Sequence, residues 1–298
     1  MDLRPLTKAD MPALGELARR AFPFDPVEEA LVREKTIEAP DYLPDLGLVA
    51  EEGGRPVGFA MGHVAERRGG VRGWVRLLAV DPAWQRRGIG SALLQTLEPR
   101  LRTRGAQAIG IFDGPVYLTP GIDFRDTAAY CFLLKNHYKQ ETVRKNLRCS
   151  LGPQPFEVEG PRREFAAKGV IVRRAGPADA GGIDEWLTRV FPTWRLEVAC
   201  GLKNDPPSFH GAWRAGRLIG FAAYHGWNRT WPFFGPMAVD PAERHAGLGR
   251  LLLYLCLNDL LAKGFDWAII PWVGPIPFYS KCCGAVIDRA FWGFEKTF

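Results

Sequence analysis

The sequence predicts an α/β protein built as two tandem domains, each a mixed α+β sheet with helices packed against it. Three observations predict it. A strand, a glycine loop and a helix start follow one another in Leu77–Leu94, LLAVDPAWQRRGIGSALL. The same arrangement returns in Met237–Leu253, MAVDPAERHAGLGRLLL, where Ala79-Val80-Asp81-Pro82-Ala83 becomes Ala238-Val239-Asp240-Pro241-Ala242. The offset is a constant 159 residues and carries Gly88 to Gly247 and Gly90 to Gly249. That spacing far exceeds the roughly 20–50 residues of a solenoid repeat, so whole domains are duplicated. Third, 298 residues are more than one compact core usually serves.

Each element has its own reason. In the first domain, expected over residues 1–151, Leu3–Leu6 is a short strand and Asp10 stands at the start of the helix Met11–Ala21. Leu14, Leu17 and Ala18 share one face of it. Phe22-Pro23-Phe24-Asp25-Pro26 breaks that helix, and a charged second helix follows over Val27–Thr36. Leu46–Glu51 and Pro56–Ala65 are strands joined by the turn Glu52-Gly53-Gly54-Arg55, and Gly73–Val80 is the strand that enters the loop. Strand Gln107–Phe112, helix Ala128–Asn136 and strand Glu141–Leu151 complete the domain. Residues 152–169 hold prolines and charges without periodicity and read as a linker.

The second domain, 170–298, repeats the order. Val170–Arg173 is a strand, Pro177–Val190 a helix, Gly211–Ile219 a hairpin around Arg214-Ala215-Gly216, and Trp231–Val239 the strand into the second loop. Helix Gly249–Lys263, strand Trp267–Pro271, helix Ile276–Lys281 and strand Val286–Glu295 complete it. Gly220-Phe221-Ala222 echoes Gly58-Phe59-Ala60.

Composition narrows the function. No apolar run reaches the ~18 residues that would mark a membrane span, and the N-terminus MDLRPLTKADMPAL lacks the pattern of a signal peptide. The scattered cysteines 131, 149, 200, 256, 282 and 283 have neither zinc spacing nor a disulfide framework, so the expected setting is the cytoplasm and no metal is expected. The net charge of +6 comes with arginine far outnumbering lysine and with no long basic run. Nucleic-acid binding is therefore not expected, and a monomer or homodimer is.

The repeated stretch has the makings of an anion site. Backbone N–H groups at a glycine loop and a helix N-terminus point into one concavity, and the helix dipole adds positive charge. Gly88 and Gly90 let a phosphate approach the backbone, and Arg86 and Arg87 flank them. Neither G-x-G-x-x-G nor G-K-[ST] is present. The order V-D-P-x-x-Q-R-R-G-I-G-S-x-L-L instead resembles the acetyl-CoA loop of the GCN5-related N-acetyltransferases, with Gln85, Gly88 and Gly90 on its Q/R-x-x-G-x-G/A positions. Arg244, Gly247 and Gly249 hold those positions in the repeat. The resemblance covers nearly the whole chain, and the duplication resembles the tandem architecture of mycothiol synthase.

That resemblance implies acetyl-CoA as the cofactor and, with it, a set of site residues. In the first half the loop contacts would come from Gln85, Arg86, Arg87, Gly88, Ile89, Gly90 and Ser91, and in the second from Arg244, His245, Ala246, Gly247, Leu248, Gly249 and Arg250. Backbone groups of Leu78 and Val80, or of Met237 and Val239, would bond the pantetheine arm along a splayed strand. The N–H of Leu78 or Met237 would also polarise the thioester carbonyl. Tyr279, in Phe278-Tyr279-Ser280-Lys281, falls where the family places its thiolate acid, whereas Leu133 holds that place in the first half; Tyr130 and Tyr117 are out of register. The second half is therefore expected to perform the chemistry. His225 is the candidate base there, with Glu66 or Asp113 in the first half, or an ordered water in place of any base. Asp123 is the candidate contact for a cationic acceptor. Trp231 and Trp272 are candidates to line its pocket, or else pack the core as aromatics do.

The expected function is acetyl transfer to a primary amine of a small molecule or peptide. Two other functions fit the same loops: coenzyme A binding or sensing without turnover, and aminoacyl transfer from tRNA on the same fold.

Overall fold

A computed structural model describes residues 1–67, 69–244 and 247–298. The chain opens with β1 (Asp2–Pro5), then α1 (Met11–Ala21), α2 (Glu29–Lys35), β2 (Gly47–Glu52), β3 (Arg55–Arg67), β4 (Gly70–Val80), α3 (Ile89–Thr103), β5 (Ala108–Ile111) and β6 (Ile122–Asp123). Next come α4 (Thr127–Lys135), β7 (Lys139–Ser150), α5 (Glu159–Ala167), β8 (Val170–Arg174), α6 (Ala180–Val190), α7 (Arg195–Leu202), β9 (Phe209–Arg214) and β10 (Arg217–Tyr224). The last are β11 (Phe234–Val239), α8 (Leu248–Ala262), β12 (Trp267–Ile270), α9 (Ile276–Cys283) and β13 (Val286–Thr297). Two differences from the sequence reading stand out. The expected linker contains α5, which buries Phe165, and α7 stands between the helix and the hairpin expected in the second domain.

The chain forms two compact units, and they are not its contiguous halves. Unit 1 is Met1–Arg144 together with Arg289–Phe298; unit 2 is Lys145–Asp288. The divide at residue 151 follows sequence order, whereas β7 and β13 each contribute residues to both units. Alternation along β13 announces a strand with an inward face, but period 2 does not say which sheet receives it.

In unit 1, β1, β2, β3 and β4 pair antiparallel in order, β4 pairs β5 in parallel, and β13 pairs β5 antiparallel through Glu295–Thr297. Helix α1 buries Leu14, Leu17 and Ala18, the face anticipated from its spacing. Its start is fixed by Asp10, whose carboxylate accepts from the Thr7 N–H and hydroxyl and from Arg4. Helix α3 buries Leu93, Leu94, Leu97 and Leu101. Burial on this scale is worth roughly 1.5–3 kcal/mol for each large side chain, so α3 is anchored as the platform of its loop.

In unit 2, β8, β9, β10 and β11 form an antiparallel sheet, and β12 pairs with Leu147–Ser150 of β7. One core packs α8 residues Leu252, Leu253, Cys256 and Leu257 with Tyr224 and Phe234. The other packs Trp186 of α6 with Phe209 and Phe221, whose rings stack 5.0 Å apart. No helix among the described residues is long and apolar enough to cross a membrane.

Candidate active site

The site in unit 1 begins with a broken ladder. Strand β5 pairs β4 only from Gly73 to Val75, and the Phe112 N–H closes the contact on the Val75 carbonyl at 2.9 Å. Here Met61 opposes Leu77 and Gly62 opposes Val75, leaving Arg76 as the extra residue of a β-bulge. The bulge inverts the alternation. The Asp81 N–H turns to β3 and meets the Val57 carbonyl at 2.9 Å, so Val80 and Leu78 turn theirs to the edge that β5 has left. The splay anticipated beside the loop is present, with the backbone of Leu78 and Val80 facing it.

The loop is held by its own turn chemistry. Asp81 accepts from the Ala83 N–H at 3.0 Å and from Arg20 at 2.6 Å, which makes it a turn residue. Gln85 donates to the Val80 carbonyl at 3.1 Å. Gly88 stands at φ +84° just before α3, a conformation an L side chain adopts only with strain. The first N–H groups of α3 have no intrahelical acceptor, as at any helix start. Arg86 lines the adjoining cavity, while Arg87 folds back over the Trp84 ring at 4.6 Å and donates to the Ala83 carbonyl.

These parts converge on a cavity of about 690 Å³. Its wall includes Leu78, Ala79 and Val80, the loop residues Gln85, Arg86, Gly88, Ile89, Gly90 and Ser91, the β5 end Ile111-Phe112, and Phe132 and Leu133 of α4. Sequence reasoning missed most of the far wall: Phe22, Pro23, Phe24 and Asp25 after α1, and Thr119 before α4. The proline-rich break after α1 was visible, but nothing in it told where it would lie.

Asp123 lines this cavity, yet it does not stand ready for a cationic ligand. Arg125 grips it with Nε at 2.8 Å and Nη2 at 2.9 Å, and Arg289 donates Nε at 2.8 Å. Although burial opposes ionisation, these guanidinium hydrogen bonds hold the carboxyl down at about 2. Arg289 also holds Asp25 at 2.5 Å, so it ties the segment after α1 to the segment before α4. It comes from β13, which is why no local reading of the first half could find it.

Unit 2 repeats the design with changes. The Asp240 N–H meets the Ile219 carbonyl at 2.8 Å, turning Met237 and Val239 to the other edge, and Gly247 has φ +88°. β12 meets the start of this region at the isolated bridge Phe233–Ile269. Arg244 donates to the Val239 carbonyl at 3.3 Å, doing what Gln85 does. Leu248 is buried as the first residue of α8, and Arg250 is exposed. His245 and Ala246 lie outside the described residues.

The helices after the two clefts correspond residue for residue. A Cβ on Gly90 would meet the Phe132 ring at 3.1 Å, and one on Gly249 would meet the Phe278 ring at 3.5 Å. Leu133 and Tyr279 therefore hold equivalent places. Tyr279 is buried beside Phe234 and Phe278, and burial pushes its phenol up. It keeps its proton at neutral pH, as a donor must, and is a weaker acid than a free tyrosine.

His225 is buried with φ +50°, and its Nε2 lies 2.8 Å from the Trp231 carbonyl. A carbonyl only accepts, so Nε2 carries the proton and the ring braces the loop leading to β11. Trp231 is buried in that loop; Trp272 is exposed, with its N–H on Asn146 Oδ1 at 3.0 Å. In unit 1, Asp113 is buried against Arg144 at 2.8 Å and Tyr130 packs on Phe294, while Glu66 sits near the end of β3, away from the residues that line the cavity.

The sequence profile described as "Acetyltransferase (GNAT) family" matches residues 11–116 and again 178–285. A mycothiol acetyltransferase of Propionibacterium freudenreichii is 33% identical over 107 residues, 35% of this chain and 34% of that protein. The aligned segments span about a third to three-fifths of the curated relatives they match most strongly. Among solved structures, a GCN5-related glucosamine N-acetyltransferase region of a fungal multi-domain β-N-acetylglucosaminidase aligns over 99% of this chain and 38% of that one, with TM-score 0.81 and 18% identity. A tandem GNAT protein from the clavulanic acid biosynthesis pathway aligns over 99% of this chain and 98% of its own, with TM-score 0.67 and 16% identity.

Proposed function

The chain belongs to the acetyltransferase (GNAT) family, and on that premise we propose that it is an acetyl-CoA-dependent N-acetyltransferase acting on a primary amine of a small molecule or peptide. One observation carries the reading: the open edge of β4 and the loop that starts α3 face the same 690 Å³ cavity in unit 1. The residues fit coenzyme A. Gly88 has no atom within 4 Å of where a Cβ would stand, so a pyrophosphate can approach the backbone there. Arg86 supplies charge, and Leu78 and Val80 offer strand-like hydrogen bonds to a pantetheine arm.

When bound, acetyl-CoA supplies an activated acyl group as a thioester. The protein's part is positioning and polarisation. The Leu78 N–H, aimed into the gap, favours negative charge on a carbonyl oxygen placed there. Thr119 and the aromatic residues Phe22, Phe24 and Phe112 shape the space left for an amine, which must enter neutral to attack.

Unit 2 supports a second assignment of the chemistry. It has the same edge at Met237 and Val239, a second glycine loop, and the protonated Tyr279 where unit 1 has Leu133. In that reading Tyr279 hands its proton to the departing thiolate, and unit 1 binds the cofactor without turnover. In both readings the Nε2–H of His225 braces the loop before β11 through the Trp231 carbonyl.

Calorimetric titration of acetyl-CoA into the protein and into Gly88→Glu and Gly247→Glu variants tests both. Loss of binding with Gly88→Glu alone assigns the cofactor to unit 1, and loss with Gly247→Glu alone to unit 2. Two sites, one removed by each change, would mean both units bind. No binding to the unaltered protein would overturn the function.

A further inference from the structure

Arg76 is the bulge residue of β4, and its side chain is 1% exposed. Its guanidinium holds three separate segments. Nη2 donates to both Asp41 oxygens at 2.8 and 2.7 Å, Nη1 to the Lys35 carbonyl at 3.4 Å, and Nε to the Pro115 carbonyl at 3.1 Å. Pro115 belongs to the segment joining β5 to β6, and that segment supplies Phe112, Thr119 and Gly121 to the cavity wall. On either side of Pro115 the backbone is strained: Phe112 has φ +61° and Val116 φ +57°. Non-glycine residues keep such angles only when their surroundings dictate them. The Arg76–Pro115 hydrogen bond is one such constraint.

We propose that Arg76 is a positioning residue that sets the width of the gap beside β4, and through it the affinity for coenzyme A. The inference rests on the reading of the unit 1 cleft as the acetyl-CoA site. Arg76 sits two residues before Leu78, so the same bulge that opens the edge carries the strut that holds the opposite wall. Asp41 anchors the strut through Nη2 while Nε and Nη1 hold two backbone carbonyls, a spread of donors that a lysine ammonium cannot copy. The neighbouring His63 lies 3.3 Å from Asp41 but is held neutral, its pKa lowered to about 4 by burial and then by Arg76 itself. Asp41 is thus left to balance the arginine. The described residues of unit 2 offer no counterpart: the irregularity of its strand falls at Gly235 and Pro236, and neither side chain can reach across a gap.

The test is calorimetric affinity for coenzyme A, with thermal melting on the same samples, for the unaltered protein, Arg76→Lys, Arg76→Met and Asp41→Asn. Steady-state KM and kcat accompany them. The expected result is a Kd raised about tenfold in Arg76→Lys and Asp41→Asn and more in Arg76→Met, with KM for acetyl-CoA rising in step and kcat changing less. If Arg76→Met does not fold, the other two variants carry the test. Variants that melt earlier yet bind coenzyme A as the unaltered protein does would overturn this inference and leave the function standing. Failure of the unaltered protein to bind would overturn the function, and this inference with it.

Discussion

The two units start from one design and diverge at three places. Both turn an aspartate N–H to the neighbouring strand and free the edge of the residues just before it, and both begin a helix after a left-handed glycine. Unit 1 adds Arg76 as a strut and closes its cavity with an Asp25–Arg289–Asp123 clasp, but places Leu133 where a proton donor would stand. Unit 2 places Tyr279 there and has glycine at the strut. The two units keep the same backbone geometry at the loops and differ in the side chains around them. Backbone N–H groups need only glycine and a register, which survive almost any change of neighbours; a side chain's role needs one residue and is lost in one step.

Four experiments probe that contrast. The largest effect is expected from Arg289→Ala. It strips two largely buried carboxylates of a shared partner, so unit 1 should lose about 3 kcal/mol, with hydrogen-exchange protection falling in residues 1–144 and staying unchanged in 145–288. Equal loss in both units would show that they do not hold their stability separately.

Next comes Tyr279→Phe. If the phenol protonates the thiolate, kcat falls about 100-fold with little change in KM. An unchanged kcat returns the chemistry to unit 1, and Leu133→Tyr then asks whether a phenol raises its rate.

A smaller effect is set by acid. Asp123 titrates at about 2 in the folded protein, below an ordinary aspartate. A depressed carboxylate stabilises the fold above its unfolded pKa of about 4, and that stability disappears as pH falls from about 4 toward 2. The amount is about 2 kcal/mol, and the slope of denaturation midpoint against pH in that window should flatten in Asp123→Asn. An identical slope would mean that the arginines do not depress this carboxyl. The smallest change is Gly88→Ala. It costs about 1 kcal/mol of backbone strain, and the matching Gly247→Ala should cost the same if the two loops are equivalent, as melting curves will show.

Much of this was legible in the residues. The repeat gave the two loops, the helical spacing gave the α1 and α3 faces, and Gly88 and Gly247 proved to be the left-handed residues the loop needs. The helix register that sets Leu133 against Tyr279 could also be read directly, because local spacing encodes it. What could not be read depends on contacts distant in sequence. Asp123 read as a contact for a cationic acceptor, but Arg125 two residues on and Arg289, 166 residues further on, share its carboxylate. The contact of His225 with the Trp231 carbonyl, six residues on, depends on the path of the loop and not on spacing. Nothing in the sequence marks Arg76, since a bulge is a property of a pair of strands.

The last ten residues of the chain complete the sheet that the first 144 begin. During translation, β5 therefore waits with an unfilled edge until β13 leaves the ribosome. A nascent chain stalled anywhere before Arg289 presents that bare strand to its neighbours, an invitation to mispairing. Deleting Arg289–Phe298 would damage the part of the molecule that was synthesised first.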